Sequence, residues 1–226
     1  MPHIMNKKKA VVLLSGGLDS ATVLYHAKAQ GYKIYALSFD YGQRHKRELR
    51  FAEKLVRINK AESHILKIVF PWKGSSLIDR NIKLPDGQVA RKEIPGTYVP
   101  ARNIIFLSFA ASYAETIRAS KIFIGVNQID YSNYPDCRKN FLNAFANVIK
   151  KGTKIGVSGK TVSIEAPLVG MKKKDIIIKA FKIGVPFEYT WSCYKGGNRP
   201  CGKCDSCLIR EKGFKEAGIK DPLNVK

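Results

Sequence analysis

Apolar residues recur along this chain in two alternating rhythms. Short, β-branched runs at 10–14, 33–39, 64–69 and 121–126 are bounded by turn residues or by helical patterns, as buried parallel strands are. Between them, helical spacing covers 19–30, 43–59 and 103–120. The last of these is apolar nearly all round (Ile104, Ile105, Phe106, Leu107, Phe109, Ala110, Ala114), which predicts a centrally packed helix, and Pro100 just before it is a helix-start signal. A further helix at 138–150, a fifth strand at 161–165 and a helix at 172–183 complete the alternation. The helix at 172–183 opens on three lysines, which oppose the helix dipole unless an acidic group or ligand compensates them. Strands and helices in this order predict an α/β, doubly wound, mostly parallel five-stranded sheet, whose ligands lie beyond the carboxyl ends of the strands. Residues 72–99 interrupt the rhythm with Gly74, Pro85, Gly87, Pro95 and Gly96, and read as a lid-like insertion.

The chain has 226 residues, 45% of them hydrophobic, enough for one substantial core with an appendage. This predicts an N-terminal extension at 1–9, an α/β domain at 10–189 and a cysteine-bearing segment with a final helix at 190–226. Lysine and arginine number 40 against 18 acids, a formal charge of +22 that attracts polyanions. The cations are mostly lysines spread along the chain, with no arginine-rich tail and no basic stripe interleaved with aromatics. Nucleic acid is therefore the weaker inference, and ATP with an acidic small molecule the stronger. No stretch approaches the roughly 20 apolar residues of a membrane span. Of the five cysteines, four fall within residues 193–207, a clustering that points to a metal in a reducing cytoplasm rather than to disulfides.

The richest chemistry is Ser15-Gly16-Gly17-Leu18-Asp19-Ser20, directly after the first strand and opening the first helix. Bare backbone N–H groups at such a turn suit a phosphate chain. Gly16 and Gly17 permit close approach and positive φ, Ser15 and Ser20 add hydroxyls, and Asp19 is placed to cap the helix or hold Mg²⁺. The loop lacks the lysine of a Walker motif, and Gly159-Lys160-Thr161 has Lys154 where that motif needs its first glycine. SGGxDS resembles instead the pyrophosphate loop of enzymes that cleave ATP between its α and β phosphates. The candidate ATP-binding set is Leu14, Ser15, Gly16, Gly17, Leu18, Asp19, Ser20, Ala21, Thr22, Val23, Leu24 and Phe39.

Other strand ends carry Tyr41, Gln43 and Arg44, then Arg102 and Asn103, then Asp130, Tyr131, Tyr134, Asp136 and Arg138. All should face the glycine loop. Cys193, Cys201, Cys204 and Cys207 have spacing that lets four thiolates converge on one tetrahedral ion, with zinc the expected metal. Four thiolates leave no open position, so the role is structural. An iron–sulfur cluster would need the later cysteine and proline of ferredoxin-like runs. Cys137 stands apart, a nucleophile or, more commonly, a buried apolar thiol.

The loop, the blocks FDYGQRHKRE, VPARN and DYSNYPDCR, and the ending TWSCY…CGKCDSC together resemble the 7-cyano-7-deazaguanine synthase family, from residue 11 to about 218. The resemblance implies an adenine nucleotide α-hydrolase-like fold and a zinc-containing homodimer. It implies ATP-dependent conversion of 7-carboxy-7-deazaguanine and ammonia to the nitrile, by way of an adenylated carboxylate and an amide. In that chemistry Asp19, Arg102 and Arg138 are the catalytic candidates, the arginines gripping a carboxylate or the α-phosphate. Tyr41, Gln43, Arg44, Asn103, Asp130, Tyr131 and Asp136 are the substrate-binding candidates, with Asp130 or Asp136 accepting from the ring N1–H and exocyclic amine. The alternative is a pyrophosphate-loop enzyme that thiolates tRNA or forms lysidine in it, which predicts salt-dependent RNA binding. A zinc-ribbon module for nucleic acid would leave SGGLDS unexplained.

Overall fold

The computed structural model describes residues 7–44, 46–84, 87, 94–128 and 134–223. Five strands, β1 (Lys9–Leu13), β2 (Lys33–Asp40), β3 (Glu62–Lys67), β4 (Lys121–Phe123) and β5 (Ser163–Glu165), form one sheet in the order β3-β2-β1-β4-β5. Every neighbouring pair is parallel. The chain leaves β1 toward β2 and later returns to its other side with β4, so strand order reverses at β1. That reversal opens a crevice at the carboxyl end of β1, where the glycine loop begins.

Successive side chains of β1 point to opposite faces and seed two cores. Ala10 and Val12 join α1 (Leu18–Ala29) and α2 (Arg47–Asn59) on one face, with Ile176 and Ile177 of α6 (Lys173–Lys182) and Phe214 of α7 (Asp205–Ala217). Val11 and Leu13 join α3 (Arg102–Ile117) and α4 (Lys139–Gly152) on the other. The remaining helix, α5 (Lys154–Val157), is a single turn capped by the Thr153 hydroxyl.

Two expectations needed correction. Helix α2 starts at Arg47, not at 43, because the residues before it are spent on a loop: Gln43 accepts from Tyr41 N–H at 2.8 Å and donates to Phe39 C=O at 3.2 Å. Helix α3 packs over the middle strand β1 but is not buried all round. It lies on one face of the sheet, burying Leu107, Ala110, Ala111 and Ala114, while Ile104 and Phe109 remain 41% and 42% exposed. A helix laid on a sheet can bury only the stripe turned to the strands, however apolar its circumference.

The described part of the insertion is tied down. Ser75, Ser76 and Leu77 are buried, and Ser76 N–H donates to Gly96 C=O at 2.9 Å. No helix among the described residues is long and apolar enough to cross a membrane.

Candidate active site

The glycine loop bounds a cavity of about 310 Å³ at the strand-order reversal. Gly16 has φ of +87°, and a Cβ there would stand 2.1 Å from Glu48 C=O, so both conformation and space demand glycine. Gly125, just after β4, approaches the start of α1 so closely that a Cβ would lie 3.0 Å from Ser20 N. The two serines brace the loop. Ser20 Oγ accepts from Ser15 N–H at 3.2 Å and donates to Gly17 C=O at 3.0 Å, and Gly17 N–H donates to Ser15 Oγ at 3.2 Å. Gly17 caps α1 without a side chain, so the positive end of the helix faces the cavity.

Asp19 does not cap that helix. Its carboxylate accepts from Lys173 Nζ at 2.7 and 2.8 Å and from Asn127 Nδ2 at 2.9 Å, and all three residues line the cavity. Lys173 thus brings the cation that the loop itself lacks, from 154 residues downstream. Sequence reasoning missed it as a site residue, although its signal was present: three lysines starting a helix required an acidic partner, and Asp19 supplies one. Gly213 of α7 makes room, since a Cβ there would stand 2.5 Å from Lys173 Cγ.

Leu14, Ser15, Gly17, Leu18, Asp19, Ser20 and Phe39 line the cavity, with Phe39 stacked on Phe106 at 3.8 Å. Ala21, Thr22, Val23 and Leu24 do not; they lie in the core behind the loop, and Thr22 Oγ1 is spent on Leu18 C=O.

The facing wall carries Tyr41, Glu48, Arg102, Asn103, Tyr134 and Cys137. Arg102 Nη1 donates to the Tyr41 hydroxyl at 3.2 Å, and its guanidinium lies 5.7 Å from that ring's centre. Burial works against the Arg102 charge, but Tyr41, Tyr134 and Cys137 outweigh it and hold the pKa above its ordinary value. Burial also raises the Tyr41 hydroxyl, against Arg102. Glu48, which sequence reasoning quoted in its motif but did not assign, keeps some surface on the cavity side. Burial nevertheless pushes its carboxyl up to about 8, Arg102 opposing and Cys193 reinforcing.

Three candidates sit elsewhere. Asp136 turns back onto the start of α3, where its Oδ2 accepts from Asn103 N–H at 3.0 Å, while Asn103 Nδ2 reaches Asp136 C=O and Cys137 Sγ. Arg44 braces the insertion, donating to the carbonyls of Ser76, Asp79 and Ile82. Arg138 is exposed and does not line the cavity. Asp130 and Tyr131 lie outside the described residues.

The Sγ atoms of Cys193, Cys201, Cys204 and Cys207 all lie within 4.8 Å of one another, so the four could hold a metal ion. A tetrahedral metal with bonds of about 2.3 Å sets sulfurs about 3.8 Å apart; Cys201 and Cys207 are 4.0 Å apart. The thiols also compete for charge. Cys193 is held far below its usual value by donation from Cys204 and Cys207, and donating to Cys193 pushes Cys204 up to about 11. The segment bearing them forms the rear of the glycine loop: Trp191 N–H donates to Gly16 C=O at 2.9 Å, and Trp191 stacks on Phe51 of α2. Arg210 of α7 fastens the segment through a buried pair with Asp221 at 2.6 Å and a bond to Thr190 Oγ1 at 2.9 Å.

The family model "Queuosine biosynthesis protein QueC" matches residues 9–218. A protein from Desulfitobacterium hafniense named 7-cyano-7-deazaguanine synthase is 54% identical over 217 residues, 96% of this chain and 93% of its own length. One of the same name from Thermoplasma acidophilum is 53% identical over 221 residues, 97% and 92% of the two chains. Among solved structures, the NMN synthetase from Francisella tularensis matches with a TM-score of 0.52 at 16% identity, over 95% of this chain and 79% of that one, a likeness of fold of the adenine nucleotide α-hydrolase-like kind.

Proposed function

This chain belongs to the QueC family of queuosine biosynthesis proteins, and from that membership we propose that it converts 7-carboxy-7-deazaguanine and ammonia to 7-cyano-7-deazaguanine at the expense of ATP. The observation that carries the reading is the convergence of Ser15, Gly17, Leu18, Asp19, Ser20, Tyr41, Arg102, Tyr134 and Cys137 on one cavity, from four separate stretches of chain.

A carboxylate is a poor electrophile at neutral pH, so its oxygen must become a leaving group before ammonia attacks. Adenylation does this, with diphosphate departing from ATP, bound as its Mg²⁺ complex. The N–H groups at the start of α1 take the diphosphate, and Lys173, held at 2.7 Å from Asp19, neutralises charge that accumulates on it. Arg102 faces them and grips the α-phosphate or the substrate carboxylate. Asp136 is committed to α3, which leaves Asp130 as the candidate carboxylate for the guanine-like edge. Tyr41 and Tyr134 supply rings for stacking.

Zinc is the metal we assign to the four cysteines, since their donor set is all sulfur and closed. Its role is structural, pinning Trp191 behind Gly16. A homodimer, a cytoplasmic setting, a lid at 72–99 and the division into 10–189 and 190–226 belong to this proposal. The test is release of AMP and pyrophosphate, measured with and without tRNA. The reading expects release that depends on 7-carboxy-7-deazaguanine and ammonium and ignores tRNA. Release that required tRNA and ignored the deazapurine would replace it with tRNA modification.

A further inference from the structure

Arg102 and Asn103 sit side by side on the first turn of α3, and both line the cavity. They offer a ligand different chemistry. A guanidinium has only donors, whereas a side-chain amide has a donor nitrogen and an acceptor oxygen. The surroundings of Asn103 fix which way its amide points. Asp136 Oδ2 accepts from Asn103 N–H at 3.0 Å, and the side-chain amide meets Asp136 C=O at 3.3 Å and Cys137 Sγ at 3.1 Å. A carbonyl oxygen only accepts, so the amide atom turned to it is Nδ2.

The other amide atom, Oδ1, makes no bond among the described residues. Among those residues Arg47 Nε is the fully buried side-chain nitrogen or oxygen without a partner, so Asn103 Oδ1 keeps open surface. Asn103 is only 9% exposed, and the space open to it is the cavity. Cys137 is bonded to Asn103 and lies close enough to Arg102 to act on its charge, so guanidinium and amide oxygen share one part of the wall.

A donor beside an acceptor matches a primary amide, which offers an oxygen and an N–H, better than a carboxylate, which offers two oxygens. The cavity must hold each in turn. We propose that Asn103 Oδ1 accepts from the NH₂ group of the amide intermediate, leaving the amide oxygen on Arg102 and turned to the α-phosphate of the second ATP. This rests on the synthase reading above and names a residue for its second round. Only activation at oxygen leads to a nitrile. The amide oxygen attacks the α-phosphorus, diphosphate leaves with the P–O electron pair, and one N–H proton passes to water, giving an O-adenylyl imidate. The remaining N–H proton then passes to water, its bond pair forms the third C–N bond, and the C–O bond breaks with its electron pair leaving on AMP. In the first round the two carboxylate oxygens are equivalent. Asn103 is therefore needed for the second activation and not for the first.

Asn103→Ala separates the two. Exchange of pyrophosphate into ATP driven by 7-carboxy-7-deazaguanine should stay within about threefold of wild type, while exchange driven by the carboxamide, and nitrile formation from it, should fall about 10–100-fold. Equal losses in both exchanges, as a merely structural role would give, overturn the assignment, and so does carboxamide turnover near wild type. Should Ala prove poorly folded, the wild-type enzyme decides by NMR. With isotope-labelled carboxamide bound beside a non-hydrolysable ATP analogue, one N–H proton should resonate downfield of its position in solution; both protons unmoved would overturn the proposal. Wild-type enzyme with no exchange driven by the acid would instead sink the synthase reading itself.

Discussion

The two walls of the cavity are built on different principles. The glycine-loop wall is contiguous: six residues, 15–20, hold one another by short-range bonds, and the loop opens into the uncapped start of α1. The facing wall is assembled from side chains at 41, 48, 102, 134 and 137, held in place by the loops and helices that carry them. A contiguous wall survives changes at a distance but tolerates few changes within itself. An assembled wall depends on every segment that delivers a side chain, and each residue can be altered singly.

The sharpest way to break this contrast is Gly16→Ala. Both the positive φ and a backbone carbonyl 2.1 Å from the new Cβ oppose it, so we expect a loss of more than about 3 kcal/mol and no ATP binding. Thermal unfolding and nucleotide titration check both. Next is removal of the metal or Cys207→Ser. This should loosen the segment that holds Trp191 behind Gly16, lowering stability by several kcal/mol. Trp191 fluorescence should shift to the red, as it would not if the cysteines were a separate appendage.

The contrast also explains what could be read before the fold was known. The strand–loop–helix at 10–30 was legible because its pattern is local, as was the cysteine cluster, whose ligands sit at metal-binding spacings. Lys173 was not legible as a site residue, because only packing of α6 against α1 and α7 brings it to Asp19. That Asp136 and Arg44 turn away from the cavity was not legible either. A polar residue at a strand end can bind a ligand or brace a loop, and spacing does not distinguish the two. Asp136 satisfies the start of α3, and Arg44 satisfies three carbonyls of the insertion. The exposed flank of α3 was hidden likewise, since apolar residues all round a helix do not say which flank meets the sheet.

Further substitutions sharpen the comparison at smaller effect. Lys173→Ala should lower kcat about 10²–10³-fold with little change in KM for the acid, since its charge opposes one that grows in the transition state. A KM effect alone would move Lys173 to ground-state binding. Glu48 offers a stability readout. Its folded pKa is raised from 4.5 to about 8, so its contribution is complete below about 4.5 and is lost as pH rises to about 8. Glu48→Gln should therefore gain on wild type by about 1–3 kcal/mol between about pH 5 and about pH 9 in urea unfolding; a constant difference would mean the carboxyl is solvated. Arg138→Ala, at an exposed position away from the cavity, should change kcat/KM by less than about twofold.

The central claim is that the glycine loop grips the β and γ phosphates so that ATP is cleaved next to the α phosphate. Product analysis by phosphorus NMR in the presence of 7-carboxy-7-deazaguanine and ammonium tests it most directly. The account predicts AMP and pyrophosphate in equal amounts, none of either without the acid, and loss of both in Gly16→Ala. Accumulation of ADP and orthophosphate would contradict it.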